Sequence, residues 1–112
     1  MKTAIFIGNM TRDPELRPVG ETQVCQFGLA VSHRVKDKDV TDFFEFEAWD
    51  RGGEVIAEHF HKGQPILVHC TPRNDRWEDA EGKKRSKVYF RVDRFEFLPF
   101  NAPKKDTVNV AA

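Results

Sequence analysis

The sequence has little of what extracellular, membrane-spanning or catalytic chains rely on. Cys25 and Cys70 are its only cysteines in 112 residues. Each sits in an apolar, strand-like context, so both are expected to be reduced core residues in a reducing compartment, and a bridge is not expected. No window approaches the roughly 18 apolar residues that a spanning helix needs, and no basic segment followed by an apolar run opens the chain. A soluble, cytoplasmic protein is expected, with no membrane partner. Only two serines occur, Ser32 and Ser86, and no nucleophile–base motif accompanies them. The four histidines, His33, His59, His61 and His69, have no zinc spacing, so neither a metal nor a cofactor is expected. Net charge is also missing: 18 basic and 18 acidic side chains cancel, and total charge neither favours nor excludes a polyanionic partner.

What the chain does have is aromatic material and uneven charge. Ten Phe, two Trp and one Tyr supply the core of one strand-rich domain. Residues 37–61 hold eight acidic and two basic side chains, whereas residues 62–98 hold nine basic and six acidic. The surface is therefore patchy, with one region suited to anions.

The run Asp42-Phe43-Phe44-Glu45-Phe46-Glu47-Ala48-Trp49 organises the rest. In a strand, side chains alternate between faces. Phe44, Phe46 and Ala48 form an apolar inner wall, and Phe43, Glu45, Glu47 and Trp49 share the outer face. Exposed aromatics on a rigid strand mark a binding surface; a loop or partner subunit that covers them is the other explanation. The run 24–34 alternates similarly, with Cys25, Phe27, Leu29 and Val31 inward and Gln26, Gly28, Ala30, Ser32 and Arg34 outward, a face almost bare of large side chains. Paired with 42–49, its nearly bare outer face leaves room for flat groups beside Phe43 and Trp49.

Around these two strands the chain reads in order. Ala4–Gly8 is a first strand. Residues 10–18 form a connection, because Pro14 and Pro18 oppose regular pairing. Residues 34–39 form a charged hairpin connection. Gly52-Gly53 breaks the chain, and a short helix over 54–62, stopped by Gly63, plugs one end of a barrel. Residues 65–71 form a fourth strand that runs on into a long polar hairpin through Trp77. The return strand 85–93 turns Val88, Phe90 and Val92 inward, and Phe95, Phe97 and Leu98 close the core. Residues 1–98 thus form one domain, and 99–112 a short flexible tail.

Five strands with one short helix between the third and fourth describe an all-β OB-fold, a five-stranded, partly open Greek-key barrel. Such barrels bind ligands across strands 2 and 3 and between the 1–2 and 4–5 connections. Here those elements carry Phe43 and Trp49, then Arg12 and Arg17, then Trp77 with Arg73, Arg76, Lys83, Arg85 and Lys87. Arg34, Lys36 and Lys62 extend the basic set. Trp77 is either a stacking platform or packs on the aliphatic stems of its own hairpin.

These residues resemble the bacterial single-stranded DNA-binding proteins. The run Gly8-Asn9-Met10-Thr11-Arg12-Asp13-Pro14-Glu15 is similar to that family's opening motif, and Phe27-Gly28-Leu29-Ala30 with Lys36-Asp37-Lys38 is similar to its second strand and loop. Ala57 with Lys62-Gly63, and Trp77-Glu78-Asp79 with Gly82 and Arg85, resemble its helix end and its last hairpin. The resemblance runs from about residue 3 to 98. It implies nonspecific binding and protection of single-stranded DNA in replication, recombination or repair, by stacking on Phe43, Trp49 and Trp77. It also implies a homo-oligomer, a tetramer, with a dimer as the alternative. Three departures stand out. Val35 sits where many members place a stacking aromatic. Glu45 and Glu47 occupy positions usually basic or neutral, and should repel phosphate unless they bond to bases or pair with Arg34 or Lys87. The ending Lys104–Ala112 has neither the length nor the acidity of the family's protein-recruiting tail, which leaves tail-mediated recruitment in doubt.

Two other functions fit parts of the pattern. An accessory OB-fold module of replication restart would act mainly through protein contacts. A magnesium-dependent nuclease would use Glu45 and Glu47 with Asp42 or Asp50.

Overall fold

The computed structural model describes residues 1–99. The tail beyond Pro99, with the recruitment reading attached to it, lies outside the described residues. Six strands and one helix follow in the order β1 (Ala4–Met10), β2 (Glu15–Val19), β3 (Thr22–Val35), β4 (Lys38–Trp49), α1 (Asp50–His59), β5 (Pro65–Glu78) and β6 (Lys84–Phe97). Antiparallel hairpins make most of the sheet: β3 with β4 from Val24↔Trp49 to Val35↔Lys38, and β5 with β6 from Ile66↔Phe97 to Glu78↔Lys84. β1 joins β5 from Ala4↔Cys70 to Asn9↔Pro65. Two short seams close the ring, β1 with β3 at Asn9↔Ala30 and Met10↔Leu29, and β4 with β6, in parallel, at Phe46↔Phe90 and Glu47↔Arg91. The result is an OB-fold whose five-stranded barrel (β1, β3, β4, β6, β5) is closed, with β2 added on the outside of β3.

Alternation fills the barrel as expected. Cys25, Phe27, Leu29, Phe46, Ala48, Ile66, Val68, Cys70 and Phe95 are buried, joined by Val55, Ile56 and Phe60 from α1 and its end. Burying a side chain the size of Phe27 contributes roughly 1.5–3 kcal/mol. The rings pack on one another: Phe27 stacks on Phe46 at 5.3 Å, Phe6 meets Phe46 edge-on at 5.5 Å, and Phe60 stacks on Phe97 at 4.6 Å. Desolvation pushes the Cys25 thiol up to about 11 and the Cys70 thiol to about 12, so both are neutral core groups.

Several sequence expectations are corrected. The stretch read as a connection contains β2, whose Pro18 pairs opposite Gln23. A proline survives there because β2 is an edge strand and one side of its backbone needs no partner. The charged connection at 34–39 shrinks to the two residues Lys36 and Asp37, both left-handed (φ 48° and 65°), as a two-residue hairpin loop requires. Gly52-Gly53 does not break the chain but lies inside α1, which begins at Asp50 and ends at His59, short of Lys62. Gly63, with φ 89°, turns the chain into β5. Val88 is 57% exposed, because β6 has not yet reached the barrel at that point; its pairing with β4 begins at Phe90. Among the described residues, no helix is long and apolar enough to cross a membrane.

The two helix glycines differ in what surrounds them. A Cβ on Gly53 would overlap the Ala48 carbonyl oxygen and crowd Cys25 Cβ at 3.1 Å, whereas one on Gly52 meets only Phe95, at 4.0 Å. Gly52→Ala is therefore expected to stabilise the fold by up to about 1 kcal/mol, the usual helix gain. Gly53→Ala should instead destabilise it by roughly 1–3 kcal/mol, since the overlap outweighs that gain. Urea denaturation of both variants checks the opposite signs; two stabilising changes would contradict the packing described.

Candidate nucleic-acid interface

Cross-strand partners share a face, so the register of the β3–β4 hairpin sets out the surface in rows. From the tip inward the outer rows are Arg34/Asp39, Ser32/Thr41, Ala30/Phe43, Gly28/Glu45, Gln26/Glu47 and Val24/Trp49. Phe43 is 71% exposed, with only small Ala30 beside it. Trp49 lies six residues along the same strand, roughly 20 Å away at the usual rise. It is half-buried, and its Nε1–H donates to Glu47 Oε1 at 3.0 Å. Arg17 on β2 extends the Trp49 row through Val24.

The outer face of β3 stays open at Ala30 and Ser32, beside Phe43, but not at Gly28. Gly28 is buried beneath the β1–β2 connection: the Thr11 N–H donates to the Gly28 carbonyl at 3.0 Å, and Arg12 crosses above it to Glu45. The guanidinium is bidentate, Nη2 to Oε1 at 2.8 Å and Nη1 to Oε2 at 3.1 Å. That hydrogen bond raises the Arg12 pKa further, partly opposed by desolvation. Glycine at 28 leaves room for the Arg12–Glu45 pair to lie close against the strand; a Cβ there would push the Thr11, Arg12 and Glu45 side-chain ends aside. Glu45 takes Arg12, not Arg34 or Lys87, as its partner.

The second hairpin presents Arg73/Tyr89, Asp75/Lys87 and Trp77/Arg85 on one face, and Asn74/Val88, Arg76/Ser86 and Glu78/Lys84 on the other. Trp77 is 48% exposed and lines a shallow depression with Arg85 and Lys84. Arg76 and Lys84 belong by parity to the other face, yet both line the same depression at the hairpin's end as Trp77. At the tip Asp79 accepts the N–H groups of Lys83 and Glu81 and the Arg85 Nε–H, each at 2.9 Å. These contacts, the Lys83 N–H first, hold the Asp79 carboxyl below its ordinary value.

The two hairpins meet in a pocket of about 190 Å³ lined by Arg12, Gln26, Glu45, Glu47, Asp75, Lys87 and Tyr89. A second depression joins Trp49 to Arg91 and Thr22. Of the cations picked from the sequence, Arg12, Arg34 and Arg85 are each held by a carboxylate. Among the described residues, Arg17, Lys36, Lys62, Arg73, Arg76, Lys83 and Lys87 form no ion pair. Lys36 sits at the tip of the first hairpin. Lys62 lies on the connection from α1 to β5, away from the paired rows, with its N–H on Asp13. Tyr89, Arg91, Gln26 and Asp75 were not singled out from the sequence. Parity with Lys87 places Tyr89 and Arg91 outward, but the pairing that brings them to Glu47 needs the β4–β6 seam, which leaves no local signal.

The carboxylates of the nuclease reading do not converge. Glu45 is spent on Arg12, Asp42 lies on the other face near His33 (3.6 Å), and Asp50 bonds Thr22 at the helix start. Among the described residues no three His, Cys, Asp or Glu side chains gather to hold a metal.

Comparison with known proteins adds to this geometry. Residues 1–98 match the single-strand binding protein family. The chain is 34% identical over 99 residues to a single-stranded DNA-binding protein of Treponema pallidum, covering 84% of this chain and 56% of that protein. It is 36% identical over 100 residues to one from Clostridium perfringens, covering 88% and 66%. It is 35% identical over 96 residues to single-stranded DNA-binding protein 1 of Synechocystis, covering 83% and 79%. The chain thus spans about 56–66% of the length of the first two relatives. With an OB-fold barrel, two long hairpins bearing wet aromatics and a family match over nearly all the described residues, the chain belongs to the single-strand binding protein family.

Proposed function

We propose that this chain binds and shields single-stranded DNA in replication, recombination or repair, through base stacking on Phe43, Trp77 and Trp49 with phosphate contacts from the surrounding cations. It acts by binding and catalyses no step. The observation that carries this reading is Phe43, 71% exposed on a strand paired along its length, so that a large ring is held rigidly in water. Trp77 repeats the arrangement on the other hairpin at 48% exposure. The relatives' names point to the same ligand. Every base offers a π-face, so rings contribute affinity without sequence choice, about 1–3 kcal/mol each. Arg73, Lys83 and Lys87 supply charge along the second hairpin, and each phosphate neutralised adds about 0.7 to the salt slope.

A homo-oligomer, a tetramer, completes the proposal. Ile5 and Ile7 on the outer face of β1 are 58% and 54% exposed, and β1 pairs with β3 only at Asn9 and Met10, leaving the backbone edge of its earlier residues unpaired. An apolar face beside a free edge favours association with a second copy.

Phe43→Ala and Trp77→Ala should each weaken binding of oligo-dT about five- to a hundredfold, more than Lys83→Ala or Lys87→Ala, by fluorescence anisotropy. Trp49→Ala should cost less than either, because its indole is half-covered and tied to Glu47. Equal losses at every position would show that stacking is not dominant. Light scattering on the eluting protein should give a multimer that Ile5→Glu combined with Ile7→Glu reduces in mass; a monomer before substitution contradicts the assembly.

A further inference from the structure

We propose that Glu45 sets how firmly and how salt-dependently the strand is held, because in the free chain it occupies Arg12 and a backbone phosphate must take its place there. This rests on the single-strand reading above and concerns its phosphate contacts alone.

Arg12 meets Glu45 across 33 residues of sequence, and the carboxylate takes both Nη atoms, at 2.8 and 3.1 Å. Two parallel N–H···O bonds are also the geometry in which a guanidinium grips a phosphate. The edge of Arg12 best suited to a DNA backbone is therefore filled by the protein's own anion. The pair lies between the two hairpins, where it lines one recess with Lys87 and Tyr89. Both side chains remain partly exposed, within reach of a ligand.

The other two arginines held by carboxylates are held differently. Asp79 binds Arg85 while accepting the N–H groups of Glu81 and Lys83, so it builds the turn of its hairpin. Asp39 faces Arg34 directly across the β3–β4 pairing near its tip, and a single Nε–H joins them. Glu45 accepts from Arg12 alone among the described residues, and no turn or cap depends on it. When phosphate displaces it, one carboxylate is bared for each phosphate covered. Net neutralisation is nil, so the contact adds little to affinity or to the salt slope. With Glu45 uncharged, the same contact counts in full, about 0.7 in the slope.

The test is anisotropy titration with oligo-dT over a salt series, on the unaltered chain, on Glu45→Gln, and on Glu45→Gln combined with Arg12→Ala. Glu45→Gln should tighten binding about two- to fivefold at low salt, the worth of one exposed ion pair, and steepen the fall of log K with log salt by about 0.7. Glu45→Ala, which removes the same charge with a different shape, should do the same. The combined variant should return both quantities to near those of the unaltered chain. Unchanged or weaker binding by Glu45→Gln and Glu45→Ala overturns the proposal. So does a combined variant as tight and as steep as Glu45→Gln, since the gain then comes from overall charge and not from Arg12. Either result leaves single-strand binding intact. Failure of the unaltered chain and of Glu45→Gln alike to bind oligo-dT overturns the single-strand reading and this one with it.

Discussion

One of the two short backbone seams that close the barrel is held shut by aromatic side chains. β4 and β6 pair in parallel through only two residue pairs, Phe46↔Phe90 and Glu47↔Arg91. Over that seam the Phe46 and Phe90 rings lie 5.4 Å apart, and Phe6 packs on Phe90 at 5.0 Å and on Phe44 at 4.9 Å. Such pairs contribute about 0.5–1.5 kcal/mol each beyond their buried area. This cluster joins the two hairpins on one side of the barrel, as β1, paired with both β3 and β5, joins them on the other. The same strands therefore do two jobs. Their inner residues close the barrel, and their outer residues, offset by one position, carry Phe43, Trp49 and Tyr89 toward solvent.

The outer face is not a simple basic track. Glu45, Glu47 and Asp75 interrupt it, and Arg12 lies along the sheet as Glu45's partner. Both side chains of that pair are over two-fifths exposed, so the pair is worth no more than about 1 kcal/mol. On the proposed single-strand reading, these carboxylates would shift the balance of affinity toward stacking and lower its dependence on salt relative to a uniformly basic groove.

Much of this was legible in the sequence because strand alternation is strict. The inner and outer residues of 24–34 and 42–49 follow directly from their period, as does the outward aspect of Phe43. The missing parts depend on tertiary contacts. β2 was hidden because Pro18 is tolerable only at a sheet edge, and edges are not marked locally. Gly52 and Gly53 read as a break, but Gly53 is there so that α1 can approach Ala48 and Cys25. Gly28 looked like space for a base, yet the space is filled by Arg12, which arrives from a distant segment. Lys36 and Asp37 adopt left-handed conformations without a glycine to announce them. Val88 has the parity of a core residue, but the strand has not yet reached the barrel there.

The central claim is that rings held in water on two projecting hairpins are covered by unpaired bases. Titrating the intrinsic tryptophan fluorescence with oligo-dT at two salt concentrations tests it most directly. The account predicts saturable quenching at both, with the affinity falling modestly as salt rises and duplex DNA of the same length giving little change. Tryptophan emission unmoved by oligo-dT, or quenched equally by duplex, would contradict it.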